Sequence, residues 1–372
     1  MALSGEEKRF LIVSIIPQKL SDEKAFLNVQ EVIALIESYN GEVIDIVLQK
    51  REVNSQGSYI GSGKIDEIGA LVAEKNIDVV VLNGVVKPAQ IFHLQTIWEK
   101  HLYGVQVWDK VDLILKIFSQ HAQAGEAKFQ IELATMQHMG PRIYGMGDEM
   151  SRQGGLVGTR GIGETNTERM KRHFRGQIRK VKDDLEKLTK SREMQLENRN
   201  KLGLKTASII GYTNAGKSSL FNTLTGKNRQ VKDALFVTLD TGTGKMKIAH
   251  EPYDVLVSDT IGFIRDLPPQ LVQAFKSTLL ESIHADLLLE VIDVSDVDME
   301  RKLLEVNKIL RGMKIEQKNR IYIFNKIDKM KGKGFDKAAL LEKYEAFQPQ
   351  FISTKTGEGI RELVKKIGDL LV

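Results

Sequence analysis

The sequence predicts an α/β protein in three parts. A smaller α/β domain (1–125) comes first and a helical, coiled-coil-like segment (126–203) follows. The last part (204–372) is a domain with a mostly parallel sheet and helices on both faces. Three observations predict this. Short apolar runs of strand length alternate with helical patterns in both flanking regions. A glycine-rich string, Gly-Tyr-Thr-Asn-Ala-Gly-Lys-Ser at 211–218, stands where one such run meets a helical pattern. Between the flanks, residues 166–205 hold 13 Lys/Arg and 6 Asp/Glu, a local net of +7 in a chain whose total is +5. The rest of the chain is therefore slightly acidic, at −2.

Taken in order, residues 10–16 read as a buried strand and 25–38 as an amphipathic helix, closed by a Tyr39-Asn40-Gly41 turn. Residues 42–49 alternate like a strand, and 78–82 and 104–108 are two more, which makes a βαβ-type domain. Residues 110–150 are helix-rich, with an end expected near Gly140-Pro141. Five glycines within 154–163 mark a loop over 154–165. In the basic stretch Phe174, Ile178, Val181, Leu185 and Leu188 are spaced 4, 3, 4 and 3, an a/d seam on a helical hairpin or one long helix. Its charge reads either as a solvated helix face or as a contact to a nucleic-acid backbone. Strands return at 206–210, 255–258, 287–294 and 321–324.

Composition narrows the function classes. At 372 residues, 42% hydrophobic and 28% charged, the chain has room for two or three cores at roughly 150 residues each. There is no cysteine, so disulfides, thiol catalysis and Cys-ligated zinc are excluded. The seven histidines form no HExxH pattern. No apolar run approaches a membrane span, and the first ten residues are too polar for a signal peptide. The expectation is a cytoplasmic monomer.

Residues 211–218 match GxxxxGK[ST] in the strand-to-helix context the motif requires. The glycines let backbone N–H groups turn toward phosphates, and the helix N-terminus adds partial positive charge. Within it Asn214, Ala215, Gly216, Lys217, Ser218 and Ser219 are the nucleotide-contact candidates. Lys217 is placed to reach the β- and γ-phosphates and the Ser218 hydroxyl to ligate Mg²⁺. A decoy lies upstream: 57–64 read GSYIGSGK, but the spacing is wrong and Ile65 stands where the hydroxyl belongs.

Asp259-Thr260-Ile261-Gly262 ends the run DVLVS, 42 residues after Lys217. A carboxylate at that strand end can hold Mg²⁺ through water, and the Gly262 N–H can meet a γ-phosphate. Asn325-Lys326-Ile327-Asp328 ends the run IYIF. The Asp328 carboxylate can accept from guanine N1–H and the 2-amino group, and adenine offers neither donor there. Lys326 can lay its stem on the ring plane, and Ser353-Thr354-Lys355 suits a contact to guanine O6. In this order the four motifs specify a P-loop GTPase domain.

Where a catalytic glutamine commonly follows Gly262 this chain has Phe263 and Ile264, which cannot orient water, so unaided hydrolysis is expected to be slow. Thr238 in Phe-Val-Thr-Leu-Asp (236–240) is the candidate to close on Mg²⁺ and γ-phosphate, with Thr241 and Thr243 as competitors. Lys217, Thr238 and Gly262 are thus the catalytic candidates, and Ser218, Thr238 and Asp259 the metal candidates.

With these residues in view, the chain resembles the HflX family of translation-factor-related GTPases over nearly its whole length. GYTNAGKSSLFN, LFVTLD and DTIGFIRDLP look like that family's signatures. Upstream, residues 61–68 (GSGKIDEI), the 126–142 helix with Pro141-Arg142, and Gly158-Thr159-Arg160-Gly161 with Gly163-Glu164 are similar to its N-terminal motifs. Departures are Ile162 for proline, Thr241-Gly242 for Pro-Thr, Asp109-Lys110-Val111 for DRT, and His121 for arginine. The resemblance implies a GTPase that binds the large ribosomal subunit, is stimulated by it, and in bacteria splits stalled ribosomes. It also implies that the loop holding Arg160 approaches ribosomal RNA. Arg169, Lys171 and Arg172 in the basic stretch are further RNA-contact candidates. Asn214 matches the asparagine of K⁺-activated relatives, so K⁺ joins Mg²⁺ as an expected cofactor. The alternative is a nucleotide-regulated RNA-binding or ribosome-assembly module with little hydrolysis.

Overall fold

The structure is a computed structural model. It describes residues 7–371 except 20–21, 53, 85, 100–103, 154–165, 229–234, 237–241, 249–253, 266–270, 272–278 and 333–334. The loop at 154–165 with Arg160, and the Thr238 segment, lie outside the described residues. The chain forms two compact units: 1–120 with 129–184, and 121–128 with 185–372.

In the first unit β1 (Arg9–Ile16), β2 (Glu42–Lys50), β3 (Val79–Asn83) and β4 (Gln106–Asp109) form a sheet of order β2-β1-β3-β4. Every pairing in it is parallel. Parallel sheets are covered on both faces, which is why Phe10, Leu11, Ile12 and Val13 are all fully buried in succession. On one face Leu11, Val13, Val80 and Leu82 meet Ile65, Ile68 and Val72 of α2 (Ser62–Glu74) and Ile91, Leu94 and Trp98 of α3 (Pro88–Glu99). Elsewhere in the unit Phe10, Tyr39 of α1 (Asp22–Tyr39) and Trp108 pack edge to face, with centroids 5.5–5.8 Å apart.

Two helices, α4 (Lys110–His121) and α5 (Gly125–Gln153), follow β4. The helix expected to end near Gly140-Pro141 instead runs twelve residues beyond Pro141, to Gln153. What holds it across the proline is a buried cluster in this unit. Arg142 donates to Asp112 Oδ2 at 2.7 Å and to Asp109 Oδ2 at 3.1 Å, and His138 Nε2 lies 3.1 Å from Asp109 Oδ1. These side chains fasten the helix on both sides of the proline, which offsets the missing backbone hydrogen bond. The basic stretch is one long helix, α6 (Asn166–Lys201). Along its seam Val181 is buried, Phe174, Ile178 and Leu185 are half-buried, and Leu188 is exposed.

In the second unit the strands are β5 (Thr206–Gly211), β6 (Gly242–Lys247), β7 (Asp254–Asp259), β8 (Leu287–Asp293), β9 (Arg320–Asn325) and β10 (Gln350–Phe351). Their order is β10-β9-β8-β5-β7-β6, parallel except for the β6–β7 pair. The expected strand ends hold to within a residue or two, but β6 was not anticipated. Its string GTGKMK has no apolar run, and only Gly244 and Met246 turn inward. Among the described residues this unit also holds helices α7 (Lys217–Thr225), α8 (Leu280–His284), α9 (Met299–Gly312), α10 (Lys337–Lys343) and α11 (Ile360–Leu371). Leu220, Phe221, Leu363 and Ile367 pack on Ile209, Val257, Leu289 and Ile323, so the core lies under the strand ends that carry the motifs. The sheet changes direction of winding at β5, and ligands of such sheets bind outside the strand C-termini at that point. No described helix is long and apolar enough to cross a membrane.

Candidate nucleotide-binding site

The loop from β5 to α7 takes its shape from two glycines. Gly211 has φ 140°, and a Cβ there would sit 2.3 Å from the Val291 carbonyl of β8. Gly216 has φ 98°, and a Cβ would sit 2.2 Å from Asn325 Nδ2. No other residue type fits either place, and the loop can therefore lie directly over β8 and β9. Asn214 also adopts a left-handed φ of 61°, which asparagine tolerates. Helix α7 begins at Gly216 without a side-chain cap, so its first N–H groups point into the loop.

Lys217 lies inside this loop, 7% exposed, and its Nζ donates to the Tyr212 carbonyl at 2.7 Å. Burial pushes the lysine down to about 8, with the charge of Asp259 pulling the other way and that of Lys326 adding to the fall. Asp259 ends β7 and is fully buried. Its neighbour Thr260 fastens the strand end by donating to the Ile209 carbonyl at 2.7 Å. Gly262 crosses the loop so closely that a Cβ would meet Thr213 Cγ2 at 2.7 Å and Lys217 Nζ at 2.8 Å.

The strand ends β9 and β10 supply the other side. Asn325 is fully buried, donates to the Ala215 carbonyl at 2.9 Å and accepts from the Thr354 N–H at 3.1 Å. Lys326 Nζ donates to the Asn214 carbonyl at 2.7 Å and pairs with Asp293 of β8 at 2.7 Å. Ser353 donates to Asp328 Oδ1 at 2.7 Å. The structure thus brings Asn214, Ala215, Gly216, Lys217 and the following Ser218 and Ser219 together with Asp259, Gly262, Asn325, Lys326, Asp328, Ser353, Thr354 and the adjoining Lys355 at one end of one sheet. Of the three threonines considered beside Mg²⁺, Thr243 is in β6 opposite Ser258. Thr238 and Thr241 lie outside the described residues, as does Arg160. Arg169 and Arg172 are exposed and Lys171 half-buried on α6 in the first unit, away from the motif residues in sequence.

The donor set fits a hard cation beside phosphates. It offers a hydroxyl at the first turn of α7, a buried carboxylate at the end of β7, and glycine positions that a Cβ would fill. Two residues escaped the sequence reading. Asp293 carried a usable signal, an acid closing the apolar run of β8, and it orients Lys326. Tyr212 occupies a variable position of the motif and gave none.

Comparison with known proteins gives the family. Residues 27–119 match the "GTP-binding GTPase N-terminal" family model, 121–199 the "GTP-binding GTPase Middle Region", and 206–326 the "50S ribosome-binding GTPase". GTPase HflX of Caldanaerobacter subterraneus subsp. tengcongensis is 40% identical over 326 residues, 88% of this chain and 74% of that one. GTPase HflX of Escherichia coli (strain K12) is 34% identical over 94% of this chain and 80% of its own. The crystal structure of a protein named SsGBP with GDP matches at 28% identity and a TM-score of 0.56, covering 98% of both chains. A GTP-binding protein of Sulfolobus solfataricus in complex with GDP matches at 27% and 0.51, covering 98% of both chains. P-loop, buried lysine and base-motif strand end stand in the order and place such a domain needs, and by sequence and fold this chain belongs to the GTPase HflX family.

Proposed function

We propose that this GTPase docks on the large ribosomal subunit, is stimulated there to hydrolyse GTP, and uses the cycle in ribosome splitting, recycling or rescue. The observation that carries the reading is the match of 206–326 to the 50S ribosome-binding GTPase model, on a chain whose excess positive charge is concentrated on α6. Arg169, Lys171 and Arg172, with Arg160 in the 154–165 loop, are the ribosomal RNA contacts in this proposal.

Within the site, Lys217 and the N–H groups at the start of α7 hold the β- and γ-phosphates. Asp328, Asn325, Lys326 and the 353–355 segment hold guanine. Ser218, Asp259 and Thr238 hold Mg²⁺, which supplies positive charge to the β- and γ-oxygens. The Gly262 N–H meets the γ-phosphate. Phe263 is 2% exposed and apolar, so the attacking water is oriented by a group the partner brings. Asn214 takes K⁺ as additional positive charge. In this reading the RNA-facing segments lie in 126–203 and the switch in 204–372.

The test is GTP hydrolysis by the purified chain, alone and with large ribosomal subunits, in matched K⁺ buffer. Strong stimulation is expected. A flat response with a measurable basal rate moves the partner elsewhere. The burial of Phe263 favours a second reading, an RNA-binding or assembly module with little hydrolysis, and nucleotide left intact over hours with subunits present would select it. Equal rates in matched K⁺ and Na⁺ buffers remove K⁺ from the site.

A further inference from the structure

The segment after Gly262 is fastened to the phosphate loop by contacts that centre on Tyr212. The Phe263 N–H donates to the Gly211 carbonyl at 3.1 Å, and the Thr213 N–H donates to the Phe263 carbonyl at 2.8 Å. Tyr212 and Phe263 thereby form an isolated parallel bridge. The Tyr212 hydroxyl accepts from the Arg265 N–H at 2.7 Å. The Tyr212 carbonyl takes the Lys217 ammonium at 2.7 Å. The ring is 7% exposed overall, with the Lys302 ammonium of α9 at 5.0 Å from its centroid, and Arg265 reaches Asp298 at 3.3 Å. One residue therefore joins the phosphate loop, the 262–265 segment and α9.

These contacts bear unequally on the two nucleotides of a GTPase cycle. A diphosphate asks Lys217 to leave a neutral carbonyl for phosphate oxygens, a favourable exchange for an ammonium. A triphosphate asks more. Its γ-phosphate must enter beside Gly262, which packs on the phosphate loop so closely that a Cβ would sit 2.9 Å from the Thr213 Cα. The backbone beyond Gly262 must then swing away from the loop, and the Arg265 N–H leaves the tyrosine hydroxyl. We infer that Tyr212 is a specificity-determining positioning residue: its hydroxyl holds residues 262–265 against the phosphate loop and biases the site toward the diphosphate. The inference rests on the guanine-nucleotide site alone, so it stands or falls independently of any ribosomal partner.

Tyr212→Phe removes the acceptor and keeps the ring that Lys302 covers. In equilibrium titrations of the full-length chain with fluorescent GDP and a fluorescent non-hydrolysable GTP analogue, the variant is expected to raise the triphosphate-to-diphosphate affinity ratio about 3- to 10-fold, the worth of one net hydrogen bond. An unchanged or lowered ratio overturns the inference. A second measurement needs no variant. Amide exchange at Phe263 and Arg265 in the wild-type chain should be slow without nucleotide and with GDP, and fast with the GTP analogue. Equal protection with GDP and with the analogue means the bridge is a fixed extension of the sheet, and the proposal fails.

Discussion

Both units place a Gly-Lys pair at the start of a helix that follows a parallel strand, and only one of the pairs makes a pocket. At α2, Gly61 caps the helix with an ordinary φ of −71°, and a Cβ on Gly63 would meet nothing within 4 Å. Lys64 turns to its own helix and pairs with Glu67 at 2.6 Å, and the next residue is the buried Ile65. At α7, Gly216 has φ 98° with Asn325 against it, and Lys217 is buried on a backbone carbonyl. The lesson is that backbone sign, crowding and burial separate a phosphate loop from a helix start that shares its letters. The buried cations of the two units make the same point. Burial pushes Lys217 down to about 8 because the protein supplies too little negative charge of its own. His138 in the first unit is also penalised by burial, yet its hydrogen bonds to Asp109 and Asp112 carry it up to about 9. One cation is held ready for an external anion, and the other already has its counter-ions.

The largest effect should come from the two lysines. Lys217→Ala is expected to cut GTP hydrolysis by about 100-fold or more, the scale seen when one donor to a developing phosphate charge is lost. Lys64→Ala should leave the rate within about twofold, because among the described residues its ion-pair partner is Glu67, three residues on. A steady-state phosphate-release assay reads both. Comparable losses in the two variants would erase the distinction drawn above, and a wild-type rate in Lys217→Ala would put the site elsewhere.

The strand ends provide the next contrast. Asn83 ends β3 and spends its amide inside the first unit, donating to Ser14 Oγ and the Asn28 carbonyl, each at 3.2 Å. Asp328 follows the end of β9 and keeps one carboxylate oxygen beyond its bond from Ser353. Asp328→Asn should weaken GTP binding about 100-fold and improve binding of xanthosine triphosphate, whose 2-oxo group accepts where guanine donates. Titration with the two nucleotides checks the exchange. Parallel loss of both would mean that the carboxylate holds the loop together and does not read the base.

Much of this was legible beforehand for a physical reason. A parallel strand buried on both faces must be a continuous apolar run, so β1, β3, β5, β8 and β9 announce themselves. The phosphate loop and Asn325-Lys326-Ile327-Asp328 are local strings whose chemistry needs fixed spacing. What stayed hidden depends on partners distant in the chain. β6 is an antiparallel edge strand with two inward residues and no run to read. Helix α5 crosses Pro141 because Asp109 and Asp112, about thirty residues earlier, hold His138 and Arg142. The role inferred for Tyr212 depends on Arg265, 53 residues away.

The paired cation of the first unit predicts a smaller effect. Arg142 Nη2 also lies 2.9 Å from His138 Nε2, but two carboxylates outweigh one guanidinium, and the imidazole carries its proton. A histidine raised to about 9 when folded, from an ordinary 6.5, stabilises the fold fully below about pH 6.5. That contribution fades as pH rises toward 9. The expected loss is about 3 kcal/mol across this window, and it should vanish in His138→Gln. Trp98 and Trp108 are the chain's two tryptophans and both lie in the first unit, so urea unfolding followed by intrinsic fluorescence reports on that unit. A flat profile in the wild type would show that the cluster holds a neutral imidazole, and the contrast with Lys217 would go.

The smallest change is expected where intuition from other GTPases asks for the largest. Phe263→Gln places an amide where a catalytic glutamine commonly stands. Yet Phe263 is 2% exposed and its backbone is bridged to Gly211 and Thr213, so the side chain is buried within the second unit. A glutamine in that place would first have to satisfy its own buried amide, which costs about 1–3 kcal/mol without a partner. To reach a water it would also have to break the bridge. Basal hydrolysis in Phe263→Gln should therefore stay within about threefold of wild type, with a lowered melting temperature. At the start of α2 a Cβ on Gly63 would meet nothing within 4 Å, so this variant asks whether the cover, and not only the loop, sets the behaviour of α7. A rise of tenfold or more in basal rate would show that the segment opens freely and that the missing amide alone makes the enzyme slow. It would also weaken the role assigned to Tyr212, because a bridge that opens freely cannot favour one nucleotide over the other.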